Sequence, residues 1–202
     1  MIPRKNNYRK HKNIGNIFDL STDKKLFGLW IYLMSDCIFF ATIFAVYAIM
    51  FNSMEIHLNF FNLKFVFCET TLLLLSALTY GMFSISIEYK KILFVYLFFL
   101  ITFFLGFSFL YMEFYEFYNL IKKGFSPQSN GFLSAFFTLI GIHGFHVLIG
   151  LFWMFGIIFQ IFQSGLTLKS YVRALCLGLF WHFLDIIWIC VFTIVYLIGS
   201  IK

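Results

Sequence analysis

Eight side chains in this sequence could take or give a proton from within runs of apolar residues: Asp36, Glu69, Glu113, Glu116, His143, His146, His182 and Asp185. His143 and His146 stand three apart, as do His182 and Asp185, and that spacing sets both members of a pair on one helix face. In the second pair the carboxylate can accept from the imidazole or from a neighbouring helix. Intramembrane histidines on facing helices can also hold a haem, and an interhelical hydrogen bond accounts for the same spacing. Asp36 has Met34, Cys37, Ile38 and Phe39 beside it and no countercharge along its own segment. Glu69 lies a turn into its apolar block, and Glu113 and Glu116 fall near the end of theirs, within reach of an interface. Other chemistries lack their residues: there is no Gly-x-Ser-x-Gly, P-loop, dinucleotide fingerprint or Cys/His zinc spacing. Nothing here makes a complete active site, and the eight residues read as buried polar, structural positions.

The elements that must hold these groups follow from composition. Of 202 residues, 61% are hydrophobic, 23% aromatic and 12% charged, about half the charge of an ordinary soluble domain. With a mean hydropathy of +0.89, neither a soluble globule nor a disordered chain fits. A spanning helix needs about 20 mostly apolar residues, and five such blocks run roughly over 26–51, 65–87, 92–114, 131–162 and 173–200. The expected fold is all-α, a polytopic membrane bundle of five transmembrane helices. Residues 1–25 form a basic N-terminal tail and 26–202 a single transmembrane domain. The tail is polar for too long to be a signal peptide. Neither proline lies within a block, and Ser126-Pro127 with Ser129-Asn130-Gly131 marks the clearest turn.

Seven of the fifteen Lys and Arg precede residue 26. Assigned to alternate sides, the cations divide eleven with the N-terminus and four opposite, so the N-terminus is expected in the cytoplasm and the C-terminus outside. This distribution flanks a membrane and makes no nucleic-acid face. Cys37, Cys68, Cys176 and Cys190 all fall in apolar stretches without a Cys-x-x-Cys pair and read as small hydrophobes. Gly141, Gly144 and Gly150 border the histidines of the fourth block and permit close helix approach. The residues alone leave three readings: a non-catalytic membrane subunit, a haem-bearing membrane anchor of a quinone-linked dehydrogenase, and a small proton-coupled transporter. The lack of repeats or broken segments argues against the common transporter architectures.

Five strings together resemble subunit III of the haem-copper terminal oxidases: FGLWIYLMSDCIFFATIFAVY at 27–47, ETTLLLLSALTYGM at 69–82, MEFYEF at 112–117, GFLSAFFTLIGIHGFHVLIG at 131–150 and FWHFLDIIWICVFTIVYLIG at 180–199. The likeness is greatest to the five-helix form in bacterial ubiquinol oxidases of the cytochrome bo type. It implies a subunit of a proton-pumping complex of the bacterial inner membrane, one that supports assembly, lipid binding and stability and is no enzyme on its own. It implies haem and copper in the catalytic subunit I, none in this chain, and partners among subunits I, II and IV together with structural phospholipids. In the family the lipids occupy a cleft between helices 1–2 and the rest. Asp36 matches the family's buried helix carboxylate, Glu in mitochondrial-type members, while Glu113 stands where those members tend to have Gln and Glu116 matches their Glu. Those members carry two further N-terminal helices that are missing here. The electron donor, ubiquinol, menaquinol or cytochrome c, is not fixed by any residue of this chain.

Overall fold

The computed structural model describes residues 5–52, 63–89, 91–165 and 167–197, with 5–22, 52, 63, 164 and 168 described by backbone alone. Five α-helices follow one another: α1 (Lys5–Asn52), α2 (Leu63–Glu88), α3 (Ile92–Lys122), α4 (Gly131–Ser164) and α5 (Leu168–Val191), the last continuing into a π-helical turn over Phe192–Leu197. Among the described residues there is no strand. All five helices contain stretches long and apolar enough to cross a membrane, over Asp23–Phe51, Lys64–Glu88, Ile92–Lys122, Gly131–Gln163 and Lys169–Leu197. An all-helical bundle is what lipid demands, because no backbone polar group finds water in the hydrocarbon core.

The helix ends differ from the sequence reading in instructive ways. α1 runs without a break through residue 25, where the tail was expected to meet the first span. α3 continues two turns past Phe114 to Lys122, so Glu113 and Glu116 lie inside a helix and not at its end. It stops where Gly124 takes a positive φ of 88°, which lets the Phe125 N–H reach back to the Leu120 carbonyl at 3.1 Å and close the last turn. The serine turn then forms as expected: the Ser129 hydroxyl donates to the Ser126 carbonyl at 2.6 Å. α5 begins five residues ahead of Arg173, capped by Thr167, whose hydroxyl accepts from the Ser170 N–H at 3.3 Å. The expected end at Ser200 lies outside the described residues.

The chain divides into two compact units, residues 1–38 and 39–202. The first is the leading part of α1, where the Tyr32 side chain hydrogen-bonds Asp36 one turn away. The second holds the end of α1 and all of α2 to α5. Within it α2 packs most extensively on α3 and also on α5, while α4 packs on both α3 and α5. α2 therefore sits between α3 and α5.

Tryptophan and glycine interlock at its centre. The Trp181 indole, 1% exposed, fills a notch between α3 and α4 that exists because both facing residues are glycine. A Cβ on Gly106 would stand 3.0 Å from the ring, and one on Gly150 would stand 2.9 Å from it. The ring N–H donates to the Ser76 hydroxyl of α2 at 3.1 Å. Seven residues on, Trp188 donates to Thr70 at 3.1 Å, and the Tyr80 hydroxyl donates to the Ala174 carbonyl at 2.7 Å. As the α2 number rises from 70 through 76 to 80, the α5 number falls from 188 through 181 to 174, the register of an antiparallel pair. Both tryptophans of α5 are thus found inward, while phenylalanines such as Phe104, Phe152, Phe155 and Phe162 cover the outer surface.

Candidate functional site

The polar groups gather at the end of the bundle shared by the start of α2 and the ends of α3 and α5. α2 contributes Glu69, fully buried, and α3 contributes Glu113, 3% exposed, with Glu116 one turn further. The three carboxyl groups lie close enough to interact electrostatically. The Glu116 Oε2 accepts from the Tyr196 hydroxyl at 3.0 Å. Tyr196 belongs to the π turn, whose wider winding departs from the 3.6-residue period of α5 and sets the direction in which this buried side chain leaves the helix.

α4 approaches this cluster through Gly144. A Cβ there would stand 2.5 Å from Glu113 Oε1 and 2.6 Å from Oε2, so the carboxyl occupies the space a side chain would need. The preceding residue, His143, is fully enclosed. Its ring lies 5.1 Å from Trp188 at 33° and 6.0 Å edge-on from Phe109, which itself meets Trp188 edge-on at 4.7 Å. Among the described residues no hydrogen bond reaches either oxygen of Glu69 or Glu113, or either ring nitrogen of His143. The arrangement is a polar island of three carboxyls and a phenol walled by aromatic rings, in which one hydrogen bond, Tyr196 to Glu116, is made. Among the described residues no three of His, Cys, Asp and Glu converge as metal ligands.

The remaining candidates have other surroundings. His146 does not share the surroundings of His143: its Nδ1 lies 2.8 Å from the Ile142 carbonyl and its ring packs on Phe40 at 5.4 Å. Asp185 is buried, but His182, one turn before it, lies on the outer surface of the bundle with its ring 6.5 Å from Tyr80. No hydrogen bond joins the two. Asp36, half-buried on α1, is the partner of Tyr32. The sequence reading did not single out Tyr196, Thr70, Ser76, Trp181 or Trp188. The indole and hydroxyl pairs carry an antiparallel spacing that is visible once α2 and α5 are known to pair, whereas the aim of Tyr196 depends on a π turn with no local signal.

Comparison with known proteins gives a consistent result. The family model described as cytochrome c oxidase subunit III matches residues 15–200. The chain is 54% identical to the cytochrome bo(3) ubiquinol oxidase subunit 3 of Buchnera aphidicola from Schizaphis graminum, over 89% of this chain and 96% of that protein. It is 46% identical to the protein of the same name from Pseudomonas aeruginosa, covering 87% and 86% of the two chains. It is also 35% identical to the cytochrome c oxidase subunit 3 of a Bacillus species, covering 90% and 89%.

Proposed function

The chain belongs to the cytochrome c oxidase subunit III family, and we propose that it is the non-catalytic subunit III of a proton-pumping ubiquinol oxidase. It is a multi-pass protein of the bacterial inner membrane and part of a respiratory terminal oxidase complex. The observation that carries the quinol assignment is identity of 46–54% over nearly the whole length of two ubiquinol oxidase subunits, against 35% for a cytochrome c oxidase subunit. Its partners in this reading are the catalytic subunit I, which supplies haem and copper, and subunits II and IV. In this reading the eight ionisable residues are structural positions and not catalytic ones, and Glu116 joins α3 to the π turn after α5 through Tyr196. The excess of Lys and Arg on the side of the N-terminus supports a cytoplasmic N-terminus and an external C-terminus.

Phospholipid is assigned to the outer grooves of the second unit. One, of about 370 Å³, runs between α3 and α4 and is lined by Phe103, Phe107, Leu110, Leu148, Leu151 and Phe152 among others. Such a lining suits an acyl chain. Affinity purification of the tagged chain from its native membrane tests the whole reading. Haem, copper and further oxidase subunits should be retained with phospholipid, and removing the chain should shorten the working lifetime of the oxidase while leaving its reduced-minus-oxidised spectrum in place. A haem band that leaves with this chain would overturn the reading in favour of a haem-bearing anchor.

A further inference from the structure

His182 sits in the middle of the fifth span, Lys169–Leu197, on the outer surface of the bundle. Among the described residues no other His, Asp, Glu, Lys or Arg is exposed near the centre of a span. Hydrocarbon offers an imidazole no hydrogen bond, so a histidine at this depth turns toward protein or water. Among the described residues the chain does not supply the contact. Tyr80, whose ring borders His182, gives its hydroxyl proton to the Ala174 carbonyl. Asp185 makes no hydrogen bond to the ring.

The surroundings of His182 have the form of a helix-packing seam. α5 is the most enclosed of the five spans, and past its first turns what it leaves uncovered is a narrow stripe: Leu179 at 41%, His182, Ile186 at 61%, and Ile189 at 43% with Cys190 beside it. The steps of three, four and three residues repeat the spacing with which one helix presents knobs to another. The outer face of α4 has the same spacing but is paved with large rings at Phe145, Phe152, Phe155, Phe159 and Phe162, whereas the stripe on α5 carries smaller aliphatic side chains around one polar residue.

We propose that the stripe Leu179–His182–Ile186–Ile189 is a docking seam for a transmembrane helix of another oxidase subunit, and that this helix presents a hydrogen-bonding side chain to His182 at mid-bilayer. The occupant is fixed by chemistry: apolar knobs at the i, i+7 and i+10 positions suit a helix, and the polar residue at i+3 among them needs a polar partner that an acyl chain lacks. The inference rests on the reading of the chain as a subunit of an oxidase complex.

The test uses the complex in its native membrane, with p-benzoylphenylalanine placed at position 186 and, as a control, at position 152 on α4. Irradiation should join the chain to a second subunit from position 186 and yield lipid adducts from position 152. In parallel, His182→Gln should keep the chain in the detergent-purified oxidase, whereas His182→Phe should make its release roughly tenfold easier, the loss of one interhelical hydrogen bond. Lipid adducts alone from position 186, in a chain that still purifies with the oxidase, would overturn the seam. Failure of the unmodified chain to purify with any oxidase would instead overturn the functional reading.

Discussion

Replacing Gly150 by alanine tests whether the Trp181 notch organises the bundle. The new methyl would lie 2.9 Å from Trp181 Cζ3, 3.2 Å from Cε3 and 3.3 Å from Phe180 Cε1, inside the roughly 3.5–4.0 Å of favourable carbon contact. The indole has little room to yield. A Cβ at Gly106 would already touch it at 3.0 Å, and its N–H is bound to Ser76. Overpacking of this kind costs about 1–3 kcal/mol, while alanine regains about 1 kcal/mol of helix propensity over glycine. The net expectation is a loss of roughly 0–2 kcal/mol. Trp181→Phe removes the part of the ring that meets the methyl, so in that background Gly150→Ala should be neutral or stabilising by up to about 1 kcal/mol. The coupling between the two sites is then about 1–3 kcal/mol. The heating midpoint for release of the subunit from the solubilised oxidase, read by native electrophoresis for the four members of the cycle, measures it. Equal losses in the two backgrounds would refute the notch as the reason for glycine at 150.

Tyr196→Phe removes the bond to Glu116 and should lower the same midpoint by an amount corresponding to about 1 kcal/mol; Glu116→Gln, which keeps an acceptor for Tyr196, should cost less, and the reverse order would refute the bond. Gly144→Val should be more damaging than Gly141→Val, because a side chain at 144 meets the Glu113 carboxyl while a Cβ at 141 meets only Phe117 at 3.9 Å; comparable yields of the two assembled variants would count against the island. Asp36→Asn preserves an acceptor for Tyr32 and should leave assembly, turnover lifetime and proton-to-electron ratio unchanged; a lowered ratio would show that Asp36 titrates as part of proton movement. Leucine at His143, His146 or His182 should disturb assembly and leave every haem band of the assembled oxidase intact, as measured by difference spectroscopy.

The five spans were legible because apolar length alone identifies a membrane helix, and the turn at 126–129 because serine and proline state their geometry locally. The end of α3 was not, since counting hydropathy stops at the first carboxylates while the helical period does not. Its buried positions run Val95, Phe99, Thr102, Gly106, Phe109, Glu113 and on to Leu120, in alternating steps of four and three. On that period Glu113 is an inward position even though its charge suggested a boundary. The spacing of three between His182 and Asp185 puts them on adjoining positions of one helix, but a boundary between buried and exposed surface passes between the two residues. Period fixes a direction, whereas burial depends on how wide a face the neighbours cover. The inward turn of Trp181 could not be read from α5 at all, because the space it fills is made by Gly106 and Gly150 on two other helices.

What holds α2 against α5 explains why these inward groups are polar. In lipid, apolar side chains gain nothing by leaving their surroundings for one another, so close packing and hydrogen bonds must specify which helices pair and in what register. Three donors do this along one seam: Tyr80 to the Ala174 carbonyl, Trp181 to Ser76 and Trp188 to Thr70. The two hydroxyl acceptors stay satisfied within their own helix if the donor leaves, as Ser76 and Thr70 also donate to the Leu73 and Val66 carbonyls. Losing one indole bond therefore strands the indole and not the hydroxyl. A slip of α5 by a single turn would strand all three donors together, at several kcal/mol in a medium without water, and would drive Trp181 out of the glycine notch. Register is thus set by many weak contacts that fail in concert, which is how a chain rich in interchangeable phenylalanines can still settle on one arrangement of its helices.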